Sequence, residues 1–452
     1  LVAQTASTAG PSHEALTAAV DSIAAAVLEE SGVPSASVAV VRQARTEYLK
    51  AYGTARLVPR TAASTDMRYA IGSISKQFTA AAVLLLQQEG ELSLDDPVAK
   101  WYPELTRADD ITLRNLLTHT SGYSDFWPHD YVPTMMQTAI DPDSVIARWA
   151  GAPLDFEPGT KWEYSNTNFV LAGRIVEKIT GMPLFSFLEE RVFEPLGMGS
   201  VVNFDQGRMT DADPAGYRRF GLGPLRPALP EGAGWMLGAA ELAMTPADLA
   251  RWDVSLMRES LLAPASYRQM ERDMLLADGL PTGYGLAVDV ASMSGHRLIA
   301  HSGEVSGFVS YNYVFPDDSA AVVVLTNQMA APAAGAIARA VARVMFTAPD
   351  PLTEARTARA RSILEGFQHG TIDRSLFTRT ANEYFTEQGL KDLQEGLAPL
   401  GAPLSFVQTS SSDRGGMIMR NYRVRFQDRT LRVWTFEWPD GSIEQYQIAP
   451  QL

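Results

Sequence analysis

Ser73 and Lys76 stand three positions apart at the start of a long apolar run, SISKQFTAAAVLLLQQEG (73–90). On a helix these two positions share one face, so hydroxyl and amine can meet. A serine hydroxyl is a weak nucleophile until a base takes its proton, and a lysine whose pKa is lowered by burial can be that base. A helix N-terminus adds free N–H groups and positive potential where an oxyanion would form. The bland alternative is a helix-capping serine followed by a solvated lysine, because an isolated S-x-x-K is common. A second group is Tyr164-Ser165-Asn166, within KWEYSNTNF. A tyrosine beside a cationic lysine has its phenolate favoured and could act as a base. Asn166 offers a donor and an acceptor to a peptide-like substrate, or else merely caps a helix. The third group is His301-Ser302-Gly303, at the end of a predicted strand. Glycine permits close backbone approach and an edge strand can present N–H groups, although a strand-end turn would read the same.

The elements that must position these groups follow from periodicity. Residues 14–31 have helical spacing, and 35–41 with 47–53 read as a hairpin. Residues 73–90 read as one buried helix that is apolar on most faces, with Gly90 as C-cap. Further helices are predicted at 112–118, 143–150, 167–180 and 184–191. Thr245-Pro246-Ala247-Asp248 carries a capping hydroxyl, a first-turn proline and an acid, and starts a helix running to about Met257. Strands are predicted at 297–301, 308–315 and 320–326, and a closing helix at 333–346. The domain scheme is a flexible segment 1–13, a main domain 14–346, a proline-bearing linker 347–351 and a small α+β domain 352–452. The last is predicted to hold helices at 353–369 and 374–398, then strands at 404–410, 417–427, 430–437 and 442–449.

Composition narrows the chemistry. The chain has 452 residues, 46% hydrophobic and 20% charged, ordinary for a globular protein with more than one domain. A net charge of −14, with no basic cluster, argues against a nucleic-acid partner. The absence of cysteine excludes thiol nucleophiles and cysteine-held zinc. Six histidines lack H-x-x-x-H spacing, and Gly232-Ala233-Gly234 lacks the third glycine of a dinucleotide site, so no metal and no cofactor is expected. No G-x-S-x-G elbow is present. The apolar stretch 79–86 is far short of the roughly 20 residues a membrane span needs. The opening Leu1-Val2-Ala3-Gln4-Thr5-Ala6 is consistent with the tail of a cleaved signal peptide, giving a periplasmic or secreted location as the expectation.

In this order, Ser73-x-x-Lys76, Tyr164-x-Asn166 and His301-Ser302-Gly303 resemble the superfamily of class C β-lactamases, D-alanyl-D-alanine carboxypeptidases, D-amino-acid peptidases and related esterases. The stretches TLRNLLTHTSGYSDF (112–126), FEPGTKWEYSNTNFVLAGRIVEKITGMPL (156–184) and VFEPLGMGS (192–200) carry the same likeness. The resemblance implies an α+β, β-lactamase/transpeptidase-like domain: an antiparallel sheet flanked by helices, plus an all-helical subdomain. It implies that Ser73 is acylated, Lys76 helps activate it and Tyr164 shuttles the proton. Asn166 would hold the substrate amide, with His301, Ser302 and Gly303 also on the substrate. The N–H groups of Ser73 and Glu304 would form the oxyanion hole. The β-lactamase pattern has lysine where this chain has His301, and histidine is mostly neutral at pH 7. That departure favours a hydrolase of amides or esters in small peptide-like, D-amino-acid-containing substrates. A carboxylesterase, a β-lactamase and a non-turnover penicillin-binding sensor are the alternatives. His119, in Thr118-His119-Thr120, is assigned a structural hydrogen bond. RGGMIMRNYRV and WPDGSIEQY resemble a C-terminal extension of some members, and the small domain resembles the cone-shaped fold of nuclear transport factor 2. Self-association through it is an open expectation.

Overall fold

A computed structural model describes residues 10–207, 209–346 and 352–450. The chain divides into two compact units, Leu1–Thr347 and Ala348–Leu452. The expected linker 347–351 and most of the N-terminal segment lie outside the described residues.

In the first unit, helix α1 (His13–Ser31) starts where the Ser12 hydroxyl accepts the Ala15 N–H, and stops at Gly32 with φ 67°. The hairpin β1 (Ser35–Arg42) and β2 (Arg45–Leu57) follows, extended by β3 (Arg60–Ala62). A long excursion carries three principal helices, α2 (Ser75–Glu89), α3 (Asn166–Thr180) and α4 (Pro246–Arg258). The chain then returns through β4 (Asp289–Met293), β5 (His296–Val305), β6 (Phe308–Phe315) and β7 (Ala320–Thr326), and closes with α5 (Ala333–Phe346). The seven strands form one sheet in the order β3-β2-β1-β7-β6-β5-β4. First and last strands meet at its centre in antiparallel register, Val38 opposite Val324 and Ala39 opposite Val323.

The run AAVVVLT is buried on both faces because helices cover both. Val322 and Val324 pack with α1 and α5, through Leu16, Val20, Ile337 and Val341. Ala321, Val323 and Leu325 face the other way, into the core that holds α2 and α3. Helix α2 is buried along its whole length from Ser75 to Leu86. That burial is why its sequence shows almost no polar stripe.

Three expectations need correction. The predicted helix 73–90 is not continuous: Gly72–Ile74 form a 3-10 turn and the α-helix begins at Ser75. Gly72 has φ +53°, and a Cβ there would lie 2.6 Å from the Glu304 nitrogen, so the chain enters by a tight turn only glycine fits. His301-Ser302-Gly303 does not end its strand, because β5 runs on to Val305 in register with β6, His301 opposite Asn312. Its other neighbour, β4, reaches only Ala300, leaving one edge of residues 301–305 unpaired within the sheet.

The third correction lies in the second unit. The helix predicted at 374–398 is broken into Arg374–Leu376, Arg379–Tyr384 and Glu387–Leu397. Thr378 and Thr386 each cap a fresh start, accepting the N–H of Ala381 and of Gly389. With Thr353–Gln368 before them, these pieces pack beside a four-stranded antiparallel meander, Ser405–Arg414, Met417–Arg425, Thr430–Glu437 and Ile443–Pro450. Leu364, Phe367, Val424, Val433 and Tyr446 form its own core. Buried Glu437 pairs there with Arg356 and Arg359.

Candidate active site

Ser73, Lys76, Tyr164, Asn166 and His301 converge on one cleft of about 380 Å3, lined also by Ser302 and Glu304. Ser73 does not cap α2: the N-cap position is Ile74, with no side-chain capping bond. The Ser73 hydroxyl instead lies 3.0 Å from Lys76 Nζ and within hydrogen-bonding reach of the Tyr164 phenol.

Lys76 is 0% exposed. Its Nζ sits 2.8 Å from Asn166 Oδ1 and 2.9 Å from the Ala239 carbonyl oxygen. Burial penalises its charged form and pulls its pKa from 10.5 to about 7, against the opposing charge of Asp125. A neutral amine has two N–H bonds and one lone pair. The two fixed acceptors, Asn166 Oδ1 and Ala239 O, take the N–H bonds and turn the lone pair toward Ser73. The site therefore holds a base already aimed at the hydroxyl.

Tyr164 departs from the expectation of a favoured phenolate. Burial raises its pKa, and the charges of Asp125 and Asp289 add to that rise, outweighing the hydrogen bond with Ser73. Lys76 Nζ lies 4.9 Å from the centre of the Tyr164 ring, but its own lowered pKa limits the positive charge it brings to the phenol. In the free protein Tyr164 is thus a neutral hydroxyl, able to accept one proton and pass on another.

His119 fixes where that hydroxyl sits. Its carbonyl accepts the Glu163 N–H at 3.0 Å and its Nδ1 accepts the Ser165 N–H at 3.1 Å, straddling Tyr164. Its ring packs 4.2 Å from the Tyr164 ring, centroid to centroid. The ring is buried and neutral, because burial and Lys76 lower its pKa well below 6.5.

Asn166 is more committed than expected. Besides holding Lys76, it donates Nδ2 to Asp125 Oδ1 and Oδ2 at 3.2 and 3.3 Å, and its N–H to Oδ1 at 2.9 Å. In the free protein it orients the lysine rather than waiting for a substrate amide. His301 is neutral too: burial, then Lys76, hold its pKa at about 3. Its Nδ1–H donates to the Ser302 carbonyl, which fixes the tautomer so that Nε2 accepts the Tyr284 hydroxyl at 2.8 Å.

Backbone contact sets the segments that carry the expected oxyanion donors side by side. A Cβ on Gly303 would fall 1.8 Å from the Ile71 oxygen, and the Ser310 hydroxyl bonds that same oxygen at 2.7 Å. Segments 71–73 and 303–304 are therefore packed main chain against main chain. Asp125, Ala239 and Tyr284 were not singled out from sequence. Asp125 lies inside the quoted stretch TLRNLLTHTSGYSDF, the nearest thing to a signal. Ala239 acts through its carbonyl, which no side chain announces.

Comparison with known proteins bears on the family and the fold. The family model described as Beta-lactamase matches residues 20–345. Protein flp of Staphylococcus aureus is 28% identical over 318 residues, 68% of this chain and 62% of that protein, so the chain matches under two thirds of that relative's length. A D-stereospecific amidohydrolase from Streptomyces sp. superposes with a TM-score of 0.62 at 28% identity, over 74% of this chain and 99% of that one. The octameric penicillin-binding protein homologue from Pyrococcus abyssi gives a TM-score of 0.63 at 20% identity, covering 96% of this chain and 99% of that one.

Proposed function

This chain belongs to the beta-lactamase family, a family of serine hydrolases, and from that premise we propose that it cleaves amide or ester bonds of small, peptide-like, D-amino-acid-containing substrates through an acyl-enzyme on Ser73. The observation that carries the reading is the buried Lys76 amine, held by Asn166 and Ala239 with its remaining position on Ser73 Oγ. Neutral Lys76 takes the Ser73 proton as Oγ attacks the substrate carbonyl. Charge on the carbonyl oxygen is met by the N–H groups of Ser73 and Glu304. Collapse breaks the bond to the leaving amine or alcohol, which receives the proton from Lys76 through the Tyr164 hydroxyl. Water then attacks the ester on Ser73, giving its proton back along the same groups, and the acid leaves.

The D-configured preference is supported by the Streptomyces amidohydrolase. Neutral His301, and a lining in which the described residues include no lysine or arginine apart from the buried Lys76 amine behind Ser73, argue against carboxylate-bearing substrates, penicillins included. Screening D- and L-amino acid amides, simple esters and β-lactams tests the substrate class; faster turnover of penicillins than of D-amino acid amides would overturn it. Ser73→Ala is expected to abolish turnover of every substrate with the fold intact, measured with a p-nitrophenyl ester beside a thermal melt. The octameric Pyrococcus homologue supports self-association of this chain as well, which light scattering of the full chain checks.

A further inference from the structure

The charge of the catalytic cleft is lopsided. Asp130, Asp289 and Glu304 are among its lining residues, and among the described residues no lysine or arginine lines it. Lys76 lies behind Ser73, 0% exposed, where burial disfavours its charged form. Glu304 is partly spent, since its Oε1 accepts the Ala330 N–H at 2.7 Å. Asp289 is not. It opens β4 opposite Ala300, bridges to Tyr284 across the turn, and its carboxylate has neither hydrogen bond nor counter-ion among the described residues.

Aromatic rings share the same space. Trp162, Tyr164 and Tyr284 line the cleft, with the Trp162 and Tyr284 centroids 5.8 Å apart. An uncompensated carboxylate stabilises a cation by charge, and an aromatic lining adds to that wherever a ring offers its face. Neutral His301, close by on β5, contributes no positive charge that would cancel Asp289. The same geometry repels a carboxylate, so its preference has a sign.

We propose that Asp289 is the specificity-determining residue of the cleft, binding an ammonium group of the substrate in the aromatic-walled space beside Tyr284. The substrate class is then amine-bearing amides or esters, such as amino acid derivatives with a free amino group. This rests on the hydrolase reading above and sharpens it. Asp289 is solvent-exposed, so the gain is modest: about three- to ten-fold in affinity for an amine over a neutral isostere.

Benzylamine and benzyl alcohol, alike in shape and different in charge, serve as competitors of p-nitrophenyl ester turnover at neutral pH. The native protein should show a three- to ten-fold lower inhibition constant for the amine. Asp289→Asn should bring the ratio close to one, and Asp289→Lys should invert it. Equal constants in the native protein, or a ratio that survives both substitutions, would overturn the proposal. The hydrolase reading fails separately, if ester turnover persists in Ser73→Ala.

Discussion

Removing Lys76 from water does two things at once: it makes the amine a willing base, and it leaves Ser73, Asn166 and Ala239 in water's place as its hydrogen-bond partners. With a pKa near 7 rather than 10.5, the neutral, competent form gains population as pH rises. The kcat/KM for a neutral ester should therefore climb with pH and level off above about 7, the limb belonging to Lys76. Asp125 opposes the shift, so Asp125→Asn should move that limb to lower pH; a flat profile across this range would contradict the assignment. His119 gives a second test. Since it straddles Tyr164 without facing the substrate, His119→Ala should lower kcat by about ten- to a hundred-fold while moving KM little, because small misplacements of a reacting group are costly. A KM effect alone would disprove the positioning role. At this scale the sequence was legible where spacing encodes contact, as for Ser73 with Lys76. It was opaque at Ala239, whose carbonyl carries no residue-specific signal, and at Asp125 and Tyr284, which gain meaning only when distant loops close on α2.

Helix α4 and strand β6 hold α2 from behind through a polar network with no exposure to solvent. Trp252 Nε1 donates to Gln77 Oε1 at 2.6 Å, Gln77 Nε2 donates to Asn312 Oδ1 at 3.2 Å, and Asn312 Nδ2 donates to Asp253 Oδ1 at 2.9 Å. The second oxygen of Asp253 has no hydrogen-bond partner among the described residues, and burial lifts its pKa from 3.8 to about 8. Between these values the folded chain retains a proton that the unfolded chain releases, so this residue's contribution to stability falls as pH rises through the window. Asp253→Asn cannot titrate. The melting temperature of the variant relative to the native protein should rise as pH goes from 3.8 to about 8; a difference independent of pH would refute it. Elements with strong periodicity, α1, β1, β7 and α5, lie where their patterns place them. Strand β5 did not, because Ser302, Gly303 and Glu304 are poor strand formers and only the ladder to β6 keeps them extended. The broken helix at 374–398 hid its capping threonines inside an otherwise helical pattern.

Each compact unit owns its apolar core: buried clusters of the first contain no residue beyond Met345, and that of the second begins at Ala360. Fragments 10–347 and 348–452 should accordingly each melt cooperatively when expressed alone, followed by circular dichroism. A fragment without a transition would show that its core is insufficient. The texture of the sequence changes after residue 346, whereas nothing in it announces the chemistry of the cleft wall, since that depends on which loops meet. Among the described residues no helix is long and apolar enough to cross a membrane. Helices α1 and α5 pack together behind the sheet, and a Cβ on Gly10 would lie 2.9 Å from the Met345 oxygen. Start and finish of the hydrolase unit are thus practically spliced already. Its topology is a loop rather than a line, so a circular permutant joined across that seam and reopened at an exposed turn such as 278–280 would inherit every catalytic neighbour unchanged.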